Sequence, residues 1–407
     1  MEGCFASRKN SDRSQYMVEI RFWANLIPSE TMNSQTEANS TKDITALIKS
    51  PAHFSAVLSS KKATTGFDGF IDTIARIIRQ KHTHKSNSFF NKIKEFGKYI
   101  VDKEGSSFSL ESEELLSKLG GNMPIMSNAL ANLGVQVSAI GAMGYPRIHP
   151  IFDELSRKSI LYSFADPGLS TAYEFKDGKI MIADFYELNA HGWESIKERI
   201  GGDNLIKIYQ ECDLISIVNW SEIDASTNIW KGLLQDVFPR YINPGNKQIS
   251  FFDLSDCSKR NKQSIEEAID LLKEFSQFTK LVLGLNRNEA QIIYKVLYKK
   301  TPGKDLASIG ERIFEKLNCD TVLLHSPKEA FAVSSSGTST AKSFFVKDPK
   351  LSTGAGDNFN SGYSAARLME LDQQSALIFA SAVSGFYVRE GKSPDFEDVI
   401  GMLSIEQ

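Results

Sequence analysis

Cysteine is scarce and scattered: Cys4, Cys212, Cys257 and Cys319 are the four in 407 residues, and no two form a Cys-x-x-Cys pair. That spacing argues against a disulfide framework and a zinc site, and it suits a reducing cytoplasm. Long hydrophobic runs are missing. No stretch approaches the ~20 apolar residues of a membrane-spanning helix. Glu19 and Arg21 interrupt the approach to the apolar patch from Phe22 to Ile27, so no secretory signal is expected. A strong charge of either sign is also absent. The formal net charge is −3, with Lys and Arg dispersed, which gives no reason to expect nucleic acid or a membrane surface as partner. No Gly-x-Gly-x-x-Gly follows the first predicted strand, which argues against a dinucleotide-binding dehydrogenase.

What remains is the composition of an ordinary globular protein with an α/β rhythm. Residues 1–50 lack periodicity and are rich in Ser, Asn, Thr and charge, so they read as a poorly ordered extension before a domain spanning 51–407. From Ala63–Phe67 onward, short apolar β-rich runs alternate with helical patterns. The runs include Val135–Ile140, Leu214–Val218, Ile249–Leu254, Leu281–Leu285 and Thr321–His325. Such alternation predicts a parallel sheet covered by helices on both faces. Ala330–Val333 and Lys342–Val346 are expected as an antiparallel edge. A long polar and helical insert is expected over Ile74–Lys103, and a short strand at Ser107–Leu110.

Asp177-Gly178, between Thr171–Phe175 and Lys179–Ala183, is a strong hairpin signal. The hairpin and the Ser107 strand do not fit the βα rhythm. They predict a small separate sheet, with segments at about 74–118 and 166–190. Such a sheet over the ends of the main strands would act as a lid that excludes water. Tyr173, Phe175, Ile180 and Ile182 on one hairpin face are too many apolar groups to stand exposed. They are expected to cover the cleft, pack on the main domain or meet another subunit.

The most informative stretch is Ser352-Thr-Gly-Ala-Gly-Asp-Asn-Phe359, followed at once by a helical pattern. Gly354 and Gly356 permit unusual backbone angles and close ligand approach. A glycine turn opening a helix presents free amides and the positive end of the helix dipole, which suits a phosphate. Asp357 at its mouth cannot help to hold a phosphate. It reads as a general base for a hydroxyl attacking that phosphate, or else as the helix cap.

Three further segments qualify. Asp68 and Asp72 end the first core strand, where open α/β sheets bind ligands, and carboxylates there can accept hydrogen bonds from sugar hydroxyls. Gly120-Gly121-Asn122 opens a small-residue helix, so Asn122 suits a polyol or caps the helix. Asn286 and Glu289 follow the strand Leu281–Leu285. They suit a phosphate and a magnesium held through water, or else a capped helix. Asp253 and Arg260 can be read as a contact to a phosphorylated acceptor or as a surface ion pair.

In this order the segments resemble the PfkB or ribokinase-like family of carbohydrate and nucleoside kinases, from about Ala63 to the C-terminus. The resemblance implies a three-layer sandwich with a mainly parallel central sheet and a small β lid. It implies Asp357 as catalytic base and the Gly354–Ala355–Gly356–Asp357 amides as anion hole. Asp68, Asp72, Gly120, Gly121 and Asn122 would lie on the sugar side. ATP, with Mg²⁺, would lie between Asn286, Ser326 in the turn after His325, and the final helices. A lid that also makes a homodimer is implied. The chain departs from the family pattern at Ile125, often Asn, at His325-Ser326-Pro327-Lys328, often Thr-x-Gly, and at Tyr145-Pro146, often acidic. A sugar or polyol is the expected acceptor. A nucleoside or vitamin-like alcohol, or a non-catalytic binding role on the same fold, are the alternatives.

Overall fold

A computed structural model describes residues 34–81, 87–241 and 248–405. The main sheet has nine strands. In chain order they are β1 (Lys62–Phe67), β5 (Gln136–Gly141), β6 (Ser159–Ser163), β9 (Leu214–Ile217), β10 (Ile249–Asp253), β11 (Lys280–Asn286), β12 (Thr321–His325), β13 (Glu329–Ser334) and β14 (Gly337–Lys342). Their spatial order is β14-β13-β12-β11-β10-β9-β1-β5-β6. All contacts from β6 to β12 are parallel, and β12-β13-β14 close one side antiparallel. The second edge strand is Gly337–Lys342, so the expected strand at Lys342–Val346 lies a few residues too late.

The inner strands are mostly apolar because both faces are covered. In β9 all of Leu-Ile-Ser-Ile is buried, as a parallel strand between two helical layers requires. One core lies on each face of the sheet. Trp220, Trp230, Phe238, Phe252 and Phe275 fill one. Met123, Met126, Phe359, Tyr363 and Phe379 belong to the other. Register sets the consequence for function. Thr64 faces Ser138 and Ile215, Ile215 faces Ser250, and Asn286 faces His325. The carboxyl ends of β1, β9, β10, β11 and β12 therefore share one rim, with Asp68, Asn219, Asp253, Asn286 and His325 along it.

The second sheet contains β2 (Phe70–Gln80), β3 (Ser88–Phe89), β4 (Ser112–Gly120), β7 (Gly168–Phe175) and β8 (Gly178–Asp184), with β2 at its centre. The sequence reading missed β2, because only Asp68 and Gly69 separate it from β1 and its far end, Arg-Ile-Ile-Arg-Gln from Arg76 to Gln80, breaks the alternation of a half-buried strand. It also placed a strand at Ser107–Leu110, whereas β4 starts at Ser112. Part of the hairpin's apolar face is covered by the insert. Phe96, on the helix Ile93–Val101, meets Phe175 with ring centroids 5.7 Å apart, and Phe90 and Tyr99 extend the cluster.

The expected extension is corrected at its C-terminal end. Residues Ser34–Lys49 form a helix, α1. Ile44 and Leu47 are buried in the second core, and the Asp43 carboxylate accepts from the Asp372 amide at 3.1 Å. Ile44, Leu47 and the half-buried Ile48 make too short a period to notice in sequence, but they dock one helical face. Residues 1–33 of that extension lie outside the described residues.

Candidate active site

The glycine turn opens a helix. Gly354 has φ 91 and precedes α4 (Ala355–Leu368), whose first turn no side chain caps. A Cβ on Gly354 would lie 2.7 Å from the Tyr387 hydroxyl and 3.2 Å from Ile125, so glycine is required by both angle and space. Tyr387, on α5 (Gln373–Glu390), donates to the Thr353 carbonyl at 2.7 Å. Ser384 donates to the Ala355 carbonyl at 2.9 Å, and the Asn358 side chain to the Gly354 carbonyl at 2.9 Å. The carbonyls are tied back, and the first-turn amides stay at the helix mouth, where the dipole favours an anion.

Asp357 lies in the first turn of α4 and is 8 % exposed. Burial, then the Asp253 and Asp68 carboxylates, push it well above its ordinary value. A hydrogen bond from the Asn122 side chain works the other way. The turn and the acceptor-side motif, far apart in sequence, also meet where Ile125 approaches the Cβ position of Gly354.

On that side Asp68 is fully enclosed. Its two oxygens accept from the Asn122 amide at 2.8 Å, the Met123 amide at 2.7 Å and the Asn219 side chain at 2.6 Å. It fixes the start of α2 (Asn122–Asn132) while burial raises it to about 6. Gly121 has φ 95, and a Cβ there would lie 2.7 Å from Asp68 Oδ2, so the close packing of turn and carboxylate requires glycine. Asp72 stands on β2 opposite Lys118. Burial raises it, and Lys118 and Lys179 partly offset that. A Cβ on Gly120 would lie 2.4 Å from the Asp72 carboxyl carbon. Asp72 and Asp357 both act electrostatically on Tyr387.

Asn286 and Glu289 form a reciprocal capping box at the start of α3 (Arg287–Tyr298). Asn286 accepts from the Glu289 amide at 3.0 Å, and Glu289 accepts from the Asn286 amide at 2.8 Å. The capping role is therefore present. The electrostatics add something a cap does not need: burial and the Asp253, Asp256 and Asp357 carboxylates push Glu289 up to about 9. Among the described residues no three acidic, His or Cys side chains are grouped to hold a metal ion directly. A buried set of carboxylates with no cation among its influences fits a hydrated divalent ion reached through water.

Ser326 is committed to its own turn. Its hydroxyl donates to the Glu329 carbonyl at 3.0 Å and accepts from the Glu329 amide at 3.2 Å. His325 packs against Phe359 with ring centroids 5.2 Å apart, and burial lowers it to about 4. It stays neutral beside Gly356, whose Cβ position is 3.3 Å from its ring.

Sequence reasoning missed Asn219 and Asn360, and it misread Asp253. Asp253 is buried, accepting from Asn360 at 2.8 Å and from the Ser255 amide at 2.7 Å. Arg260 is not its partner. It stacks on Trp220, pairs with Asp224 at 3.3 Å and donates to the Ser221 carbonyl at 2.9 Å. The usable signal was position: Asp253 ends β10 and Asn219 follows β9, both on the binding rim.

Known proteins share this fold. The chain is 24% identical over 341 residues to a ketohexokinase of Haloferax volcanii, covering 83% of this chain and 90% of that protein. Among solved structures, Arabidopsis thaliana ribokinase complexed with ribose and ATP matches with a TM-score of 0.58 at 15% identity, over 84% of this chain and 98% of that one. A Methanocaldococcus jannaschii nucleoside kinase of the ribokinase family matches with a TM-score of 0.54 at 14% identity, over 84% and 98%. These structures establish the ribokinase-like fold. The sequence pattern of the prokaryotic ketohexokinases matches residues 39–405. The chain belongs to the prokaryotic ketohexokinase family, and it is an ATP-dependent carbohydrate kinase of the ribokinase-like fold.

Proposed function

We propose that this kinase transfers the γ-phosphoryl group of ATP to a hydroxyl of a ketohexose, with Asp357 as general base. The Haloferax volcanii relative is a ketohexokinase, which supports a ketose as acceptor. The observation that carries the chemistry is a buried Asp357 in the first turn of a helix whose mouth no side chain caps.

Asn122 and Asp72 hold the sugar from the β2–α2 side. Asp68 acts on the acceptor indirectly, by fixing the backbone of Asn122 and Met123. The acceptor hydroxyl gives its proton to an Asp357 oxygen as its own oxygen bonds to the γ-phosphorus. The bond between that phosphorus and the ADP oxygen breaks. Amides of the Gly354–Asp357 turn receive the charge that spreads onto the transferred group, where a preorganised dipole is worth most. Asn286 lies on the nucleotide side. Mg²⁺ brought with the nucleotide supplies neutralising charge, and Glu289 would hold it through a water. A raised pKa suits the base, because proton transfer is most efficient when the catalytic pKa approaches the working pH.

The test is a coupled ADP-release assay with ATP and a panel of ketohexoses, aldohexoses, pentoses and nucleosides, with the product identified by mass and NMR. A ketohexose phosphate as the favoured product is expected. Preference for a nucleoside or an aldose by tenfold or more in kcat/KM would overturn the ketose assignment.

A further inference from the structure

A groove of about 440 Å³ opens beside the catalytic turn and runs along α2. Its near end touches the reaction centre: Ile125 and Tyr387 line it, and these are the two side chains that press on the Cβ position of Gly354. Asp68, Asn122 and Asp357 are not among its walls. From Ile125 it continues past Asn128 to Asn132, three residues on one face of the helix. At 1.5 Å per residue, Asn132 stands about 15 Å along the axis from Asn122. A single sugar held at Asn122 and Asp357 leaves the far end empty.

The walls indicate the ligand class. Lys118, Lys158 and Lys392 are matched by Glu154, Asp395 and Asp398. Most of this charge is already used. Lys158 bonds the Asn132 side chain at 2.5 Å and lies 3.9 Å from Glu154. Asp395 accepts from the Asp398 amide at 2.8 Å, and Asp398 from the Asp395 amide at 3.2 Å. Lys118 acts on Asp72, and Lys392 on Asp398. Such a balanced lining does not select an ion. Ile125, Leu119, Leu351 and the Tyr387 ring give an apolar floor that suits the C–H faces of sugar rings. Asn128 lines the same groove; its amide oxygen is closed off from solvent, so its amide nitrogen is the group that can donate to a ligand hydroxyl.

We infer that the preferred acceptor is a ketose bearing a second uncharged hydroxyl-rich unit, which lies along α2 with Asn128 as its hydrogen-bonding residue. This rests on the sugar-kinase reading of Asn122 and Asp357. The test measures KM and kcat with ATP for fructose and for glucosyl-fructose disaccharides linked through different fructose hydroxyls. At least one disaccharide is expected to show a KM several-fold below that of fructose. Asn128→Leu should raise that KM about tenfold, the worth of one buried hydrogen bond. Fructose, which does not reach Asn128, should keep its KM within about twofold, and its turnover reports that the variant is folded. If fructose is phosphorylated and every disaccharide is a poorer substrate, the inference fails while the kinase reading stands. Equal KM changes for both sugars in Asn128→Leu would also overturn it. If no sugar, fructose included, is phosphorylated, the underlying reading fails as well.

Discussion

At the scale of single residues, the site is governed by carboxylates that share a small buried space. Asp253 stands out because it leads the charged influences on both Asp357 and Glu289, while Asn360 holds it in place at 2.8 Å. Asp357 must be ionised to accept a proton, so kcat/KM should fall as pH drops through its raised pKa. Asp253→Asn removes a negative neighbour and stabilises the ionised form. The acid limb of the pH–rate profile should therefore move to lower pH, and an unmoved or upward-shifted limb would show that the two carboxylates do not communicate. Asn122→Ala should raise acceptor KM by about tenfold or more, from the loss of a buried polar contact, with ATP affinity little changed. Measured binding of both ligands decides this, and a loss confined to ATP would reverse the orientation of the cleft.

Among the elements, those with strong local signals were legible and those docked by distant partners were not. The strand Thr321–His325 matches the sequence reading residue for residue, because a short apolar run between helical patterns leaves little choice. The strand β2 was hidden because it follows β1 after two residues and ends in charge, so that only its pairing with β4 and β7 marks it off as a separate strand. Helix α1 was hidden because its apolar face, Ile44, Leu47 and the half-buried Ile48, spans little more than one turn. Leu47 is fully buried, so Leu47→Ala should cost about 2–5 kcal/mol of stability. Deleting residues 1–33 leaves every described contact in place, whereas deletion through residue 50 should lower Tm clearly. Thermal unfolding of the two truncations tests this, and equal Tm values would show that α1 adds nothing to the core.

For the whole molecule, the second sheet carries apolar residues on both faces. Strand register puts Leu116 and Met181 on the face with Asp72, and Leu169 and Ile182 on the opposite one. All four are at least half exposed. One face suits a lid over the acceptor, and the other suits a second copy of the chain. A homodimer is the expected state in light-scattering measurements, and Ile182→Glu should shift it to monomer; a monomeric parent protein would rule the arrangement out. The site itself was legible in part. Gly354, Asp357, Gly121 and Asn122 announce themselves through glycine turns that open helices. Asn219, Asp253 and Asn360 gain meaning only when the parallel register brings their strand ends and α4 together. In the proposed mechanism Asp357 removes the proton from the acceptor hydroxyl. Asp357→Asn should keep Tm and the binding of ATP and sugar, measured calorimetrically, while phosphoryl transfer falls on the order of 10²- to 10⁴-fold. Near-parental turnover in that variant would contradict the account.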